Sequence, residues 1–224
     1  MIELIQVARS HMKKEPKDGL LTDASQVSRC AWCGVDKDYQ DYHDKEWGVP
    51  VFDDQLLFQK ICLEGFQAGL SWITVLRKRN NFLKLFDNFD YKKISKYNEE
   101  DVTRCISDAG IIRHRGKIKS TINNAKKALE LVNEFGSLSN FFWHFEPIDK
   151  NRPKKFTYSE ALKMTKTEES IELSKALKKR GWTFVGPTIC YSFMQAMGIV
   201  NDHLIGCHRR LEIEKIRNDL KRQK

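Results

Sequence analysis

The 224 residues contain no run of eighteen apolar positions, which excludes a membrane-spanning helix. The opening MIELIQVARSHMKKEP has too short and too broken an apolar stretch for a secretory signal, so a cytoplasmic protein with reduced cysteines is expected. Internal repeats and low-complexity tracts are absent, which excludes solenoid arrays. Sustained period-two alternation is also missing, which argues against a sheet-based core and predicts an all-α fold.

What is present fits a soluble globule, with 41% hydrophobic and 31% charged residues. Lys and Arg number 39 against 30 Asp and Glu, and the net charge of +9 favours an anionic partner such as nucleic acid. From Arg209 to Lys224 seven basic residues face three acids, so this tail carries about four of the excess charges and the body remains basic by about five. The six cysteines are Cys30, Cys33, Cys62, Cys105, Cys190 and Cys207, expected as thiols or metal ligands. Cys62, Cys105 and Cys190 lie in apolar helical stretches and read as core packing.

Residues 1–28, with Lys13, Lys14, Pro16, Asp18 and Gly19, read as a loosely docked extension, 29–208 as the functional domain and 209–224 as a basic tail. Helical periodicity begins at Asp53. Leu56, Leu57 and Ile61 form one stripe, and Ile118, Ile122, Ala125, Leu129 and Val132 another that Gly136 stops. Further helices are predicted at 71–87, 99–108, 170–180, 187–198 and 202–220, with N-caps at Ser71, Asn98 and Asp202. The polar, proline-bearing stretch Pro147–Ser170 reads as a surface linker between central and C-terminal helices, giving one globule of two lobes.

Cys30-Ala-Trp-Cys33 stands near one end, followed by Tyr42-His43, and His203-Leu-Ile-Gly-Cys207 near the other. A His and a Cys four apart share a face of a helical turn, which suits two ligands of a tetrahedral zinc. Cys30 and His43 could complete a closed, structural Cys2His2 site that staples the chain's ends. Cys30-x2-Cys33 is itself a zinc-knuckle spacing, so Cys33 competes with His43 for that place, and the bland reading makes His43 a core histidine.

Residues 175–197, KALKKRGWTFVGPTICYSFMQAM, read as a basic helix, a turn with Gly181 and Gly186, and a second helix opened by Pro187. Such a turn aims backbone N–H groups at a phosphate while Lys175, Lys178, Lys179 and Arg180 add positive charge; the alternative is an ordinary connection with a solvated lysine face. The clusters Arg77-Lys78-Arg79 and Arg113-His114-Arg115-Gly116-Lys117 extend a phosphate track or are solvated faces. The segment Cys62–Trp72 carries one acid, Glu64, and no other charge. With Trp32, Tyr42 and Trp72 as flat walls, Glu64 could read the edge of an extruded base; core packing is the commoner fate of tryptophan.

The segments WCGVDKDYQDYHDKEWGVP, ICLEGFQAGLSWITVLRKR, DAGIIRHRGKI and LSKALKKRGWTFVGPTICYSFMQAMGIVNDH, with Cys207, closely resemble the 3-methyladenine DNA glycosylase I family over about Cys30 to Cys207. The resemblance implies a helix-hairpin-helix fold and excision of 3-methyladenine from alkylated double-stranded DNA by a monomer. It implies structural zinc on Cys30, His43, His203 and Cys207, and an alkylbase pocket of Trp32, Tyr42, Glu64 and Trp72. It further implies that Gly69-Leu70 is a strand wedged into the gap left by the flipped base, and that Gly181 to Gly186 is the turn gripping DNA. Cys33, the leader and the basic tail fall outside the family pattern. Nicking members of the superfamily carry a lysine after the hairpin; Pro187, Thr188 and Ile189 stand here, so a monofunctional enzyme is implied. Asp202, a possible water-positioning acid, is assigned first as a helix cap. Two rivals remain: a non-catalytic zinc-stapled DNA-binding module, which needs no base pocket, and a bifunctional glycosylase-lyase.

Overall fold

The structure, a computed structural model, describes residues 18–148, 152, 153 and 155–221. Most of the leader, with Lys13, Lys14 and Pro16, lies outside the described residues, as do positions 149–151 and 154 of the expected linker and the last three residues of the tail.

Asp18 and Gly19 lead into a small hairpin, β1 (Leu20–Thr22) paired antiparallel with β2 (Ser28–Cys30), with Leu20 opposite Cys30. The Asp23 carboxylate ties its turn by accepting from the backbone N–H groups of Ser25 and Val27. Strands of three residues are too short for alternation to register, which is why the sequence did not announce them. Gly19 has φ +69°, and a Cβ there would lie 2.3 Å from the Tyr158 ring, so the chain passes where a side chain has no room.

The rest is helical: α1 (Lys37–Lys45), α2 (Asp54–Gln67), α3 (Trp72–Leu85), α4 (Tyr91–Ile94), α5 (Glu99–Ser107), α6 (Arg115–Phe135), α7 (Leu138–Trp143), α8 (Tyr158–Lys163), α9 (Glu168–Lys179), α10 (Pro187–Ala196) and α11 (Arg210–Lys221). Local chemistry sets their ends. Asp36 and Asp53 cap α1 and α2 through their carboxylates, and Asn98 with Asp101 forms a reciprocal capping box on α5. Gly136, at φ +82°, closes α6. Ser71 precedes α3 as expected, but its hydroxyl pairs with that of Thr74 instead of a backbone N–H.

The helices expected at 71–87, 99–108, 170–180 and 187–198 correspond to α3, α5, α9 and α10. The one expected at 202–220 begins only at Arg210. Asn201 to Gly206 is not helical, because Asp202 turns inward rather than capping. Its buried carboxylate receives the Tyr191 hydroxyl, the Arg152 guanidinium and Gln195 Nε2 at 2.7 Å. The Pro147–Ser170 stretch departs from a surface linker as well: it contains α8 and buries Phe156, whose carbonyl accepts from Ile205 N at 3.0 Å. That segment thereby covers the C-terminal loop.

One apolar cluster runs from Cys30 to Cys207. Helix α2 lies inside it, packed on α3, α6, α7 and α10, with Leu57, Phe58 and every residue from Lys60 to Gln67 buried. Any charge on this helix beyond its first turn is therefore held away from water.

Candidate active site and metal centre

Four ligand-type side chains converge at the junction of the chain's two ends. Cys30 ends β2, His43 lies on the buried face of α1, and His203 and Cys207 come from the loop after α10. Their donor atoms lie within 4.8 Å of one another and all four residues are buried. Cys207 Sγ is 3.5 Å from His43 Nε2 and 3.4 Å from His203 Nδ1, and Cys30 Sγ is 4.0 Å from His203 Nδ1. Zinc bonds of about 2.3 Å to sulfur and 2.0–2.1 Å to nitrogen in a tetrahedron put S and N roughly 3.6 Å apart, so the group has the size of a zinc site.

The outer nitrogens are engaged too: His43 Nδ1 meets Asp44 Oδ1 at 2.7 Å, and His203 Nε2 meets the Trp47 carbonyl at 3.0 Å. Such partners orient each ring and leave the inner nitrogen free for a metal. Hydrogen bonds with Cys30 and then with the two histidines hold the Cys207 thiol far below its usual range, so a thiolate is ready there. Cys33 does not join the group; its thiol donates to the Cys30 carbonyl at 3.2 Å. His203 and Cys207 meet through a turn in which Cys207 N bonds the Leu204 carbonyl, not through the helical turn expected from their spacing.

Next to this centre, α1, α2 and α3 enclose a cavity of about 200 Å³ lined by Tyr42, Lys60, Trp72, Glu46, Arg79 and Met197, among others. The Tyr42 and Trp72 rings are 5.4 Å apart and inclined by 42°. Trp72 Nε1 is buried with no hydrogen-bond partner among the described residues, a donor that a native interior seldom leaves unspent. Trp32 stands one ring behind, 6.3 Å from Tyr42 and packed on Tyr39 and Trp47, so it supports the wall. Glu64, 5% exposed, is reached through a residue absent from the sequence reading. Lys60, one helical turn earlier on α2, places its ammonium 3.1 Å from Glu64 Oε1, donates to Tyr42 Oη at 2.6 Å, and lies 3.4 Å from the centre of the Trp72 ring. Burial pulls Lys60 down to about 8, while Glu64 pulls the other way. Burial likewise pushes the Tyr42 phenol well above its usual range.

The link from α2 to α3 places Gly69, exposed with φ +80°, and Leu70 in a tight turn rather than the strand expected. Leu70 N closes it on the Gln67 carbonyl at 2.6 Å. Below it the buried Lys117 donates to the Phe66 and Ala68 carbonyls at 2.9 and 2.6 Å, satisfying the end of α2.

The turn between α9 and α10 is held from α6. Asn124 both donates to the Thr183 carbonyl and accepts from Thr183 N, each at 2.9 Å, and Asn123 Nδ2 donates to the Gly181 carbonyl at 2.8 Å. Gly181 has φ +81° and Gly186 precedes Pro187 as the N-cap of α10. Lys175, Lys178 and Lys179 are exposed. The other basic clusters are largely spoken for: Arg77 pairs with Asp36, Lys78 donates to the Ala109 carbonyl, Arg79 pairs with Glu46, and Arg115 pairs with Glu99.

The methyladenine glycosylase family profile matches residues 32–210. DNA-3-methyladenine glycosylase 1 of Escherichia coli (strain K12) is 52% identical over 181 residues, covering 81% of this chain and 96% of that protein. DNA-3-methyladenine glycosylase of Haemophilus influenzae is 50% identical, covering 81% and 97%. Among solved structures, a tyrosine-to-phenylalanine variant of 3-methyladenine DNA glycosylase I in complex with 3-methyladenine superposes with a TM-score of 0.75 at 31% identity, covering 81% of this chain and 97% of that one.

Proposed function

The chain belongs to the methyladenine glycosylase family, and from that premise we propose that it flips 3-methyladenine from double-stranded DNA and hydrolyses its N-glycosidic bond. The observation that carries this reading is a cavity lined by Tyr42, Trp72 and Lys60, with the buried Glu64 carboxylate 3.1 Å behind Lys60 and the Gly69–Leu70 turn just ahead of Trp72 in the chain. A base methylated at N3 is cationic within DNA. Water adds its oxygen to the anomeric carbon and loses a proton to solvent, while the electrons of the broken C–N bond neutralise the departing base, so little acid catalysis is needed. The protein's task is extrusion and recognition. Tyr42 and Trp72 supply faces for stacking, a contact worth about 1–3 kcal/mol per base, and the Glu64 carboxylate favours a cation over neutral adenine.

Gly69 and Leu70 fill the gap left by the flipped base, and the turn at Gly181 to Gly186 with Lys178 and Lys179 grips the phosphates beside the N-terminus of α10. Cys30, His43, His203 and Cys207 hold zinc, which supplies structural cross-linking when bound and no activated water, since four protein ligands close the site.

The test is to incubate the protein with methylated duplex DNA and identify the bases released: 3-methyladenine is expected, and its absence overturns the reading. A lyase of this superfamily carries its amine just after the hairpin, where Pro187, Thr188 and Ile189 stand. Borohydride treatment during turnover is expected to trap no covalent DNA adduct, and a trapped adduct would establish the bifunctional alternative.

A further inference from the structure

We propose that the alkylbase pocket accommodates one positive charge at a time, and that a cationic purine enters it by expelling the proton of Lys60. The proposal rests on the 3-methyladenine reading above and concerns a side chain to which that reading assigns no part.

The geometry is that of an occupied cation site. Lys60 Nζ lies 3.4 Å from the Trp72 ring centre and 4.7 Å from that of Tyr42, over the two faces offered for stacking, and 3.1 Å from Glu64. Lys60 is 6% exposed and Glu64 5%. Carboxylate and ammonium already compensate each other in a buried site. A second cation against the same carboxylate would leave one buried charge in surplus, an arrangement proteins avoid at large cost. Glu64 lies behind Lys60, and Glu46, the acid that lines the cavity itself, is committed to Arg79 through contacts of 2.5 and 2.9 Å.

Two routes relieve the surplus. Lys60 could swing out as an ammonium, but its stem is packed within α2, and Lys45 and Arg79 line the cavity it would have to cross. Loss of the proton requires no such passage. The charged groups facing Lys60 are Glu64 on its own helix, Glu46 at the end of α1 and Arg79 on α3, and against their combined field burial still holds its titration near 8. Tyr42, pushed far upward, keeps its own proton through this range.

This exchange sharpens selection. A neutral base cannot take over the charge opposite Glu64, so displacing the lysine proton for it leaves the carboxylate unpaired. Cleavage turns the bound cation into a neutral base, whereupon Lys60 recovers a proton from solvent, pairs again with Glu64 and favours release.

The experiment is single-turnover release of 3-methyladenine from methylated duplex DNA at sub-saturating enzyme between pH 7 and 9, for the wild type, Lys60→Met and Lys60→Arg. The wild-type rate should rise about ten-fold, following the neutral fraction of an amine titrating near 8. Lys60→Met should be flat at the wild-type plateau, hence about ten-fold faster at pH 7, and Lys60→Arg flat and slow. Binding of the free, neutral base, read by tryptophan fluorescence, should not rise with pH. A wild-type profile that is flat overturns the proposal. So does one that falls with pH, as it would if the ammonium swung into water and regained its ordinary affinity for protons. Should Lys60→Met fail to fold, the wild type and Lys60→Arg decide between these outcomes. A wild type that releases no 3-methyladenine at any pH sinks the glycosylase reading instead, and this proposal falls with it.

Discussion

At Lys60 and Glu64 a pair of charges sits where a core would ordinarily place leucines, and stability should register it. Lys60 titrates near 8 in the fold and at 10.5 in the unfolded chain, so between those values the unfolded state binds more protons. Stability therefore rises with pH across that window, and the gain is lost as pH falls from 10.5 to 8, below which both states carry the proton. Measured as the difference in unfolding free energy between wild type and Lys60→Met, which cancels other titrations, the change from pH 8 to 10.5 should be about 3 kcal/mol. A difference that stays constant with pH would place Lys60 in water. Glu64→Gln keeps the volume and a hydrogen-bond acceptor for Lys60 but removes the charge. Excision of 3-methyladenine should fall about a hundred-fold with the fold retained by circular dichroism. Glu64→Ala should lose activity as well, but it strands the ammonium, and a destabilisation of about 3–5 kcal/mol will accompany it.

At the scale of elements, the hairpin between α9 and α10 is positioned by side chains of α6 together with Ser174 of α9, whose hydroxyl donates to the Val185 carbonyl at 2.6 Å. Asn124 is buried and satisfies both backbone groups of Thr183. Asn124→Ala leaves the Thr183 N–H without its partner, while the Thr183 carbonyl keeps the Ser120 hydroxyl at 3.1 Å, so a cost of about 1–3 kcal/mol and weaker DNA binding should appear together. If Lys178 and Lys179 contact phosphates, replacing each with alanine should lower the slope of log affinity against log salt by about 0.9, with little change in the ratio of methylated to unmethylated binding. Where the sequence was legible and where it was not follows from the same physics. Asn98, Gly136 and Pro187 announce helix ends because their side chains or backbones act locally. Asp202 looked like a cap for the same reason, yet three partners from Arg152, Tyr191 and Gln195 pull it inward, and long-range partners leave no mark at short spacing. Lys60 is hard to read because a lysine four residues before a glutamate has the spacing of a surface pair. The clue was its place three after Leu57 and four before Glu64, on the face that α2 buries.

For the whole molecule the decisive contact is the one between its ends. Cys30 and His43 lie some 160 or more residues from Cys207 and His203 (164 from His43 to Cys207), and the chain from Cys30 to Cys207 contains every residue of the proposed base pocket. A metal on these four side chains removes freedom from the unfolded chain as a cross-link of long span does, and adds binding energy that exists only in the folded state. Zinc content of one ion per chain is expected on purification. A chelator strong enough to remove it should lower the thermal midpoint, by about 2–4 °C for each kcal/mol of binding energy lost at this chain length, and re-addition should restore it. Because the thiols and imidazoles must shed protons to ligate, the gap between metal-loaded and metal-free protein should shrink in acid. Cys207→Ser should narrow it at every pH, whereas Cys33→Ser, which alters a thiol bonded to the Cys30 carbonyl and outside the cluster, should leave it intact. Excision measured well below either midpoint should survive metal removal, since a site closed by four protein ligands activates no water. Identical melting of the two forms would leave the four residues as a packed cluster only, and loss of excision in a chelated but fully folded protein would move the metal from scaffold to chemistry.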